Sequence, residues 1–297
     1  MKNYLRRKYS DFFDNLYKKC PNNRKFLAHL WKMTYLCSVN EETGNNMEQK
    51  RAIIMGATSG IGYAVAKRLS AQGWQLGIAG RRMDRLIEMQ RKDLNIVATQ
   101  QIDVTRDEAS QQLLTLIGKM GGNIDLYFHS SGIGYQNPGL DTDKELSTVM
   151  TNALGFTRMV VTVFKYFEER PEREGQIAVI SSIAGTKGLG AAPAYSATKR
   201  YVNHYLECLT QLKHIKGLRH LTISDIRPGF VKTPLLDDGG RYPLQLDVDK
   251  VAAEIVEKVE KKKQIITIDW RYRILVMFWR LVPRWLWVRM RIVSKDA

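Results

Sequence analysis

The stretch AYSATKR at 194–200 places a phenol, Tyr195, four residues before an ammonium group, Lys199. On a helix those positions share a face, with Cβ atoms about 5–6 Å apart. A lysine charge at that range can act on a tyrosine hydroxyl and favour its phenolate, which would suit proton exchange with a substrate oxygen. The same spacing also arises where the tyrosine packs and the lysine is solvated, so the pair needs partners elsewhere. Candidate partners are Ser182 in SSIAG (181–185), Asn152 in TNALG, the glycine-rich GATSGIG (56–62), HSSG (129–132) and RPGFVKT (227–233).

Bringing groups so far apart in sequence to one place requires a regular framework. Short apolar runs at 51–55, 75–80, 95–100, 124–129, 176–181, 221–226 and 264–268 read as strands buried on both faces of a parallel sheet. Helical periodicity occupies about 61–72, 83–92, 107–119, 142–168, 194–214 and 248–260. The alternation predicts an α/β fold: a Rossmann-type doubly wound parallel sheet of about seven strands with helices on both faces. Ligands of such sheets bind beyond the carboxyl ends of the strands, where the unusual residues of this chain gather.

The first expected strand runs straight into Gly56, Gly60 and Gly62, spaced G-x-x-x-G-x-G ahead of a helix. Glycines there permit a tight turn and close approach of backbone N–H groups to a pyrophosphate. Gly56, Thr58, Ser59, Gly60, Ile61 and Gly62 are therefore candidate cofactor contacts. The second strand ends at Arg81 and Arg82, where an acid would bind a free ribose 2′-hydroxyl. Arginine there suits a 2′-phosphate, so NADP(H) is expected in preference to NAD(H). Asp103, with Val104 beside it, follows the third strand and is placed to meet the adenine amino group, although an aspartate there could equally cap the next helix.

Taken together and in this order, GATSGIG, Asp103, HSSG, Asn152, SSIAG, Tyr195 with Lys199, and RPGFVKT resemble the short-chain dehydrogenase/reductase family in its compact single-domain branch, over about residues 50–268. The resemblance implies that Tyr195 is the general acid/base, that Lys199 binds the nicotinamide ribose and favours the phenolate, and that Ser182 polarises the carbonyl. It implies that Asn152 holds a water linking Lys199 to solvent. Ser131, Gly132, Pro228, Gly229, Val231 and Thr233 become cofactor contacts, the last four near the nicotinamide. Two positions depart from the family pattern. Met55 stands where a threonine is usual, and His129-Ser130-Ser131-Gly132 replaces Asn-Asn-Ala-Gly, which puts bracing between strands in question more than catalysis. His129 reads as a buried, hydrogen-bonded histidine rather than a ligand or acid.

The 297 residues carry a net charge of +16, with +5 in 1–46, +8 in 261–297 and only +3 in between. Basic, aromatic ends around a balanced middle suit an anionic membrane surface better than nucleic acid, which is not expected as a partner. Cys20, Cys37 and Cys208 have neither metal-ligand spacing nor the even count of a disulfide framework, so no metal and a reducing compartment are expected. Three regions follow: 1–46, a start assigned too early or an amphipathic arm built on FLAHLWKMTYL, the former preferred; 47–268, the dehydrogenase-like domain; and 269–297, a basic aromatic segment. That last segment is interrupted by Arg280, Pro283 and Arg284, is too short of uncharged residues to span a bilayer, and reads as an interfacial anchor or as packing against a second subunit.

The expected protein is a cytoplasmic oxidoreductase, peripheral on the inner face of a membrane and a homo-oligomer, that interconverts a carbonyl and an alcohol on a hydrophobic substrate. The apolar segment 234–248 is the expected substrate loop. Competing readings are a catalytically silent nucleotide-binding regulator or scaffold on the same fold, disfavoured by the complete Ser182, Tyr195, Lys199 and Asn152 set, and the epimerase or dehydratase branch.

Overall fold

The computed structural model describes residues 49–236, 242, 244–290 and 292. The chain divides into two compact units, Met1–Glu48 and Gln49–Ala297, and every described residue belongs to the second. The readings of 1–46, and of 237–241 and 243 in the expected substrate loop, lie outside the described residues.

Seven strands form one sheet: β1 (Arg51–Met55), β2 (Gln75–Gly80), β3 (Ile96–Gln101), β4 (Leu126–His129), β5 (Gly175–Ile180), β6 (Leu221–Arg227) and β7 (Ile265–Thr267). Their order is β3-β2-β1-β4-β5-β6-β7 and every pairing is parallel. The order reverses between β1 and β4, which opens a crevice at their carboxyl ends. The helices are α1 (Gly60–Ala71), α2 (Met83–Lys92), α3 (Ala109–Lys119), α4 (Thr142–Val149), α5 (Phe156–Glu168), α6 (Pro193–Ile215), α7 (Val248–Glu260), α8 (Trp270–Leu281) and α9 (Arg284–Trp287).

Alternation along β1 explains the layers, because successive side chains leave a strand on opposite faces. Ala52 and Ile54 join one core with Val65 and Leu69 of α1 and Ile255 of α7. Ile53 and Met55 join the other, with Leu113 of α3, Val163 of α5 and Leu206 of α6. The sheet is therefore covered on both sides, and its strands carry apolar residues in succession.

Three expected boundaries move for identifiable reasons. The helix expected from 107 begins at Ala109, because Arg106 N donates to Asp103 O and closes a turn first. The strand expected from 124 begins at Leu126, and Ile124 N instead donates to the Tyr166 hydroxyl. The helix expected over 142–168 is broken by one π turn at Met150–Gly155 between α4 and α5. A Cβ on Gly155 would lie 2.7 Å from Val104 Cγ2, so the chain is drawn in close at this turn. Such wide turns recur at functional positions, and this one carries Asn152 into the interior.

The C-terminal segment packs on its own domain. Tyr272, Val276 and Trp287 are buried, and the helix ends ahead of Pro283, whose ring biases Val282 to extended backbone.

Candidate active site

Gly56 and Gly60 have φ of +86° and +57°, in the left-handed region that side chains avoid. A Cβ on Gly56 would also lie 2.8 Å from Ser131 N, so the glycine turn and the end of β4 touch through backbone. Ser130 supplies the bracing that Met55 left in question: its N–H donates to Met55 O at 2.9 Å, and its hydroxyl lies 2.9 Å from Met55 O and 3.3 Å from Gly56 O. Thr233 approaches the same turn, 3.4 Å from where a Cβ on Gly60 would stand.

Helix α1 begins after Ser59 with no side-chain cap and no acid in its first turn, leaving backbone donors directed at the crevice. Arg82 folds over the turn, donating to Thr58 Oγ1 at 2.7 and 3.1 Å and to Ser59 Oγ at 2.8 Å. Open N–H groups beneath an arginine fit the phosphates of a dinucleotide. Arg81 is exposed, and its carbonyl accepts from Gln101 Nε2. Asp103 does not cap the next helix, which begins at Ala109 behind Glu108 with no side-chain cap; its carboxylate instead closes a local turn, accepting from Thr105 N at 3.0 Å and Thr105 Oγ1 at 2.8 Å. Burial pulls its carboxyl upward, but the Thr105 bonds and the charges of Arg81 and Arg106 outweigh that and hold it below the ordinary value. Val104 is a packing residue against Gly155, and its carbonyl is taken by Arg158 Nη1 at 2.8 Å.

At the catalytic end, α6 carries Tyr195 and Lys199, and β5 delivers Ser182 into a short 3-10 turn at Ile183–Gly185. Gly185 lets that turn meet α6, since a Cβ there would lie 2.7 Å from Lys199 O. The half-buried Tyr195 phenol stands beside Ser182, whose hydroxyl oxygen accepts from Ala184 N at 3.0 Å. Lys199 Nζ lies 5.7 Å from the Tyr195 ring centroid and donates to Ile180 O at 3.0 Å. Asn152 accepts from Ile133 N at 2.9 Å and donates to Ile133 O at 2.6 Å and Thr198 Oγ1 at 3.2 Å. Both ends of its amide thus brace the loop after β4 against α6. His129 is buried with Nδ1 2.9 Å from the Tyr127 hydroxyl, and burial, reinforced by Lys199, lowers its pKa to about 3.

The electrostatics differ from the sequence expectation at one point. Burial raises the Tyr195 pKa above its ordinary value, with the neighbouring Ser182 hydroxyl opposing, so the phenol is held in its protonated form. Burial likewise lowers Lys199 to about 8, against the pull of Asp225. For a lysine depressed by folding, the native state releases its proton near pH 8 while the unfolded chain keeps it to about 10.4. Stability should therefore rise from pH 8 towards 10, by at most about 1.4 kcal/mol per pH unit. Urea unfolding of the protein beside Lys199→Met checks this, and only the lysine-containing chain should carry that extra slope.

Several residues that matter escaped the sequence reading. Asp225 on β6 is buried and accepts from Ser181 Oγ, from Asn203 Nδ2 at 3.0 and 3.2 Å and from Arg227 Nε at 2.8 Å. It ties the strand end beside Ser182 to the turn of α6 below Lys199. An acid inside the apolar run LTISDI was its only trace in the sequence. Gly134 lies flat on Tyr195, where a Cβ would come within 2.4 Å of the ring. Pro228 O accepts from Ile183 N at 3.1 Å, and Val231 is buried in an isolated bridge to Leu246. Gly229 is covered by Tyr272 of α8, whose ring would lie 2.2 Å from a Cβ there. The Tyr272 hydroxyl accepts from Phe230 N at 3.1 Å and donates to Leu244 O at 3.0 Å.

The structure thus brings Ser182, Tyr195, Lys199, Asn152, Gly132 and the glycine turn to one crevice. The profile described as short chain dehydrogenase matches residues 50–241. An oxidoreductase of Mycobacterium tuberculosis is 27% identical over 248 residues, covering 80% of this chain and 95% of that one. The fold matches an alcohol dehydrogenase of Thermococcus sibiricus solved with 5-hydroxy-NADP, with a TM-score of 0.64, 21% identity and coverage of 74% of this chain and 95% of that one. It also matches a short-chain dehydrogenase/reductase of Burkholderia phymatum solved with NAD, with a TM-score of 0.66, 19% identity and coverage of 77% and 92%.

Proposed function

The chain belongs to the short-chain dehydrogenase family, and from that membership we propose that it is an NADP(H)-dependent oxidoreductase interconverting a carbonyl and an alcohol on a hydrophobic, lipid-like substrate. The observation that carries this reading is the Tyr195 phenol beside Ser182, with Lys199 Nζ 5.7 Å from its ring. When bound, a nicotinamide cofactor supplies or accepts the hydride at the substrate carbon. In reduction, Ser182 Oγ donates a hydrogen bond to the carbonyl oxygen as negative charge grows on it. Tyr195 Oη then transfers its proton to that oxygen, completing the alcohol. Lys199 stabilises the phenolate left behind, and Asn152 keeps the loop after β4 in register with α6.

A phenol kept protonated by burial is ready to donate, which supports the reductive direction. Preference for NADP(H) is supported by Arg81 and Arg82 at the end of β2. The Arg82→Ala variant should raise the Kd for NADPH about ten- to a hundredfold, the worth of a charge-assisted hydrogen bond, and change that for NADH far less. Fluorescence titration reads both, and equal changes would remove the preference. Leu235 and Leu244, exposed on the segment after Thr233, support an apolar substrate. The reaction itself is tested by NADPH oxidation against ketones of graded chain length: kcat/KM should climb with length, and absence of hydride transfer throughout would defeat the assignment.

A further inference from the structure

Helix α8 has two apolar faces. One is used internally: Tyr272 and Val276 are buried, with Leu275 and Trp279 partly so. The other consists of Trp270, Ile274, Met277, Phe278 and Leu281, at spacings of four, three, one and three residues, all exposed and reaching 73% at Leu281. At about 100° per residue these five occupy one stripe opposite the buried one. Arg273 and Arg280 fall along one border between the stripes and Arg271 along the other. Beyond the Pro283 break, Trp285 is 63% exposed, extending the apolar surface.

We propose that this outer face of α8 and α9 docks on an anionic lipid bilayer. Apolar side chains bordered by arginines are the arrangement of a helix lying in a membrane interface, where the apolar stripe enters the acyl boundary and the guanidinium groups meet headgroup phosphates. The charge selects this occupant. Residues 269–290 contain five arginines and one acid, Asp269, which pairs with Arg271. A second copy of the chain offering the same face would set arginines against arginines, in a protein whose net charge is already +16. No helix among the described residues is long and apolar enough to cross a membrane.

The same two helices hold loops at the catalytic end. Tyr272 covers Gly229, Trp287 Nε1 donates to Gly188 O at 2.7 Å, and Lys187 Nζ donates to Val282 O at 2.8 Å. Docking therefore sets the bilayer beside the loops that follow Ser182 and β6, the side from which a lipid-like substrate would arrive.

Co-sedimentation of the full chain with vesicles tests the proposal, without substrate or cofactor, so that its failure leaves the proposed reaction untouched. Vesicles of phosphatidylcholine containing phosphatidylglycerol should bind the protein, and binding should weaken as salt is added. The double variant Arg273→Ser with Arg280→Ser should need about thirtyfold more anionic lipid for half-binding. Phe278→Glu with Leu281→Glu should lose at least about tenfold. All four side chains are solvent-facing, and unchanged unfolding midpoints would confirm intact folding. No binding to anionic vesicles, binding by both variants equal to that of the parent, or variants that disperse a protein dimer while leaving vesicle binding unchanged would each overturn it.

Discussion

Replacing Tyr195 with phenylalanine should lower hydride transfer by about 10²–10⁴-fold, the contribution typical of a positioned acid or base. The change deletes one oxygen and leaves the ring that rests on Gly134, so packing at the site persists. Among the described residues of the crevice, no other group is placed to take over the proton. Ser182 has an ordinary hydroxyl already accepting from Ala184 N, Lys199 is committed to Ile180 O, and His129 is neutral and turned to Tyr127. NADPH should bind Tyr195→Phe with nearly unchanged Kd, because the proposed phosphate contacts lie at the glycine turn and Arg82. Single-turnover kinetics beside cofactor titration separates the two effects. Substantial residual turnover would refute the role of Tyr195, and a large loss of NADPH affinity would mean that the residue builds the cofactor site instead.

Removing the Asp225 carboxylate should have the largest effect on stability. Asp225 is 5% exposed and has Ser181, Asn203 and Arg227 as donors, the last forming an ion pair at 2.6 Å. Taking away one member of a buried pair leaves the other without its partner, at a cost of about 3–5 kcal/mol. Asp225→Ala should therefore unfold at markedly lower urea than the parent. Asp225→Asn, which keeps shape and one acceptor, should fold better and isolate the charge. Because the Asp225 charge raises the Lys199 pKa, its loss lets Lys199 deprotonate at lower pH. The alkaline limb of the kcat/KM profile should then move to lower pH in Asp225→Asn. An unmoved limb would make Asp225 a purely structural strut.

Much of the catalytic end was legible because its signals are local or ordered along the chain. The glycine turn, the Tyr195 and Lys199 spacing and the Ser182 unit each depend on a few consecutive residues. The strand and helix periods then dictate that all of them reach the carboxyl edge of one sheet. The single helix expected at 142–168 was misleading for the opposite reason. Its apolar pattern runs on through the π turn, and only the closeness of Gly155 to Val104, fifty residues away, shows why the turn widens. The bracing by Asn152 was hidden likewise, since its partners Ile133 and Thr198 lie nineteen and forty-six residues away.

By itself, then, the sequence determined the α/β order, the identity of the crevice residues and the charge of the two ends, because periodicity, turn chemistry and composition are properties of neighbours in the chain. Tertiary structure alone decided how those residues are held and charged. Burial, which no single residue carries, pushes Tyr195 up and Lys199 down. The Asp225 network joins β5, β6 and α6 through bonds between residues more than twenty positions apart. The C-terminal segment, read from sequence as an interfacial anchor or as packing against a second subunit, proves to have two apolar faces. Only the fold shows that Tyr272 and Trp287 turn inward to hold the catalytic loops while Phe278 and Leu281 remain outside. Which of two apolar stripes faces the core depends on what the sheet presents to it, and that surface exists only after the chain has folded.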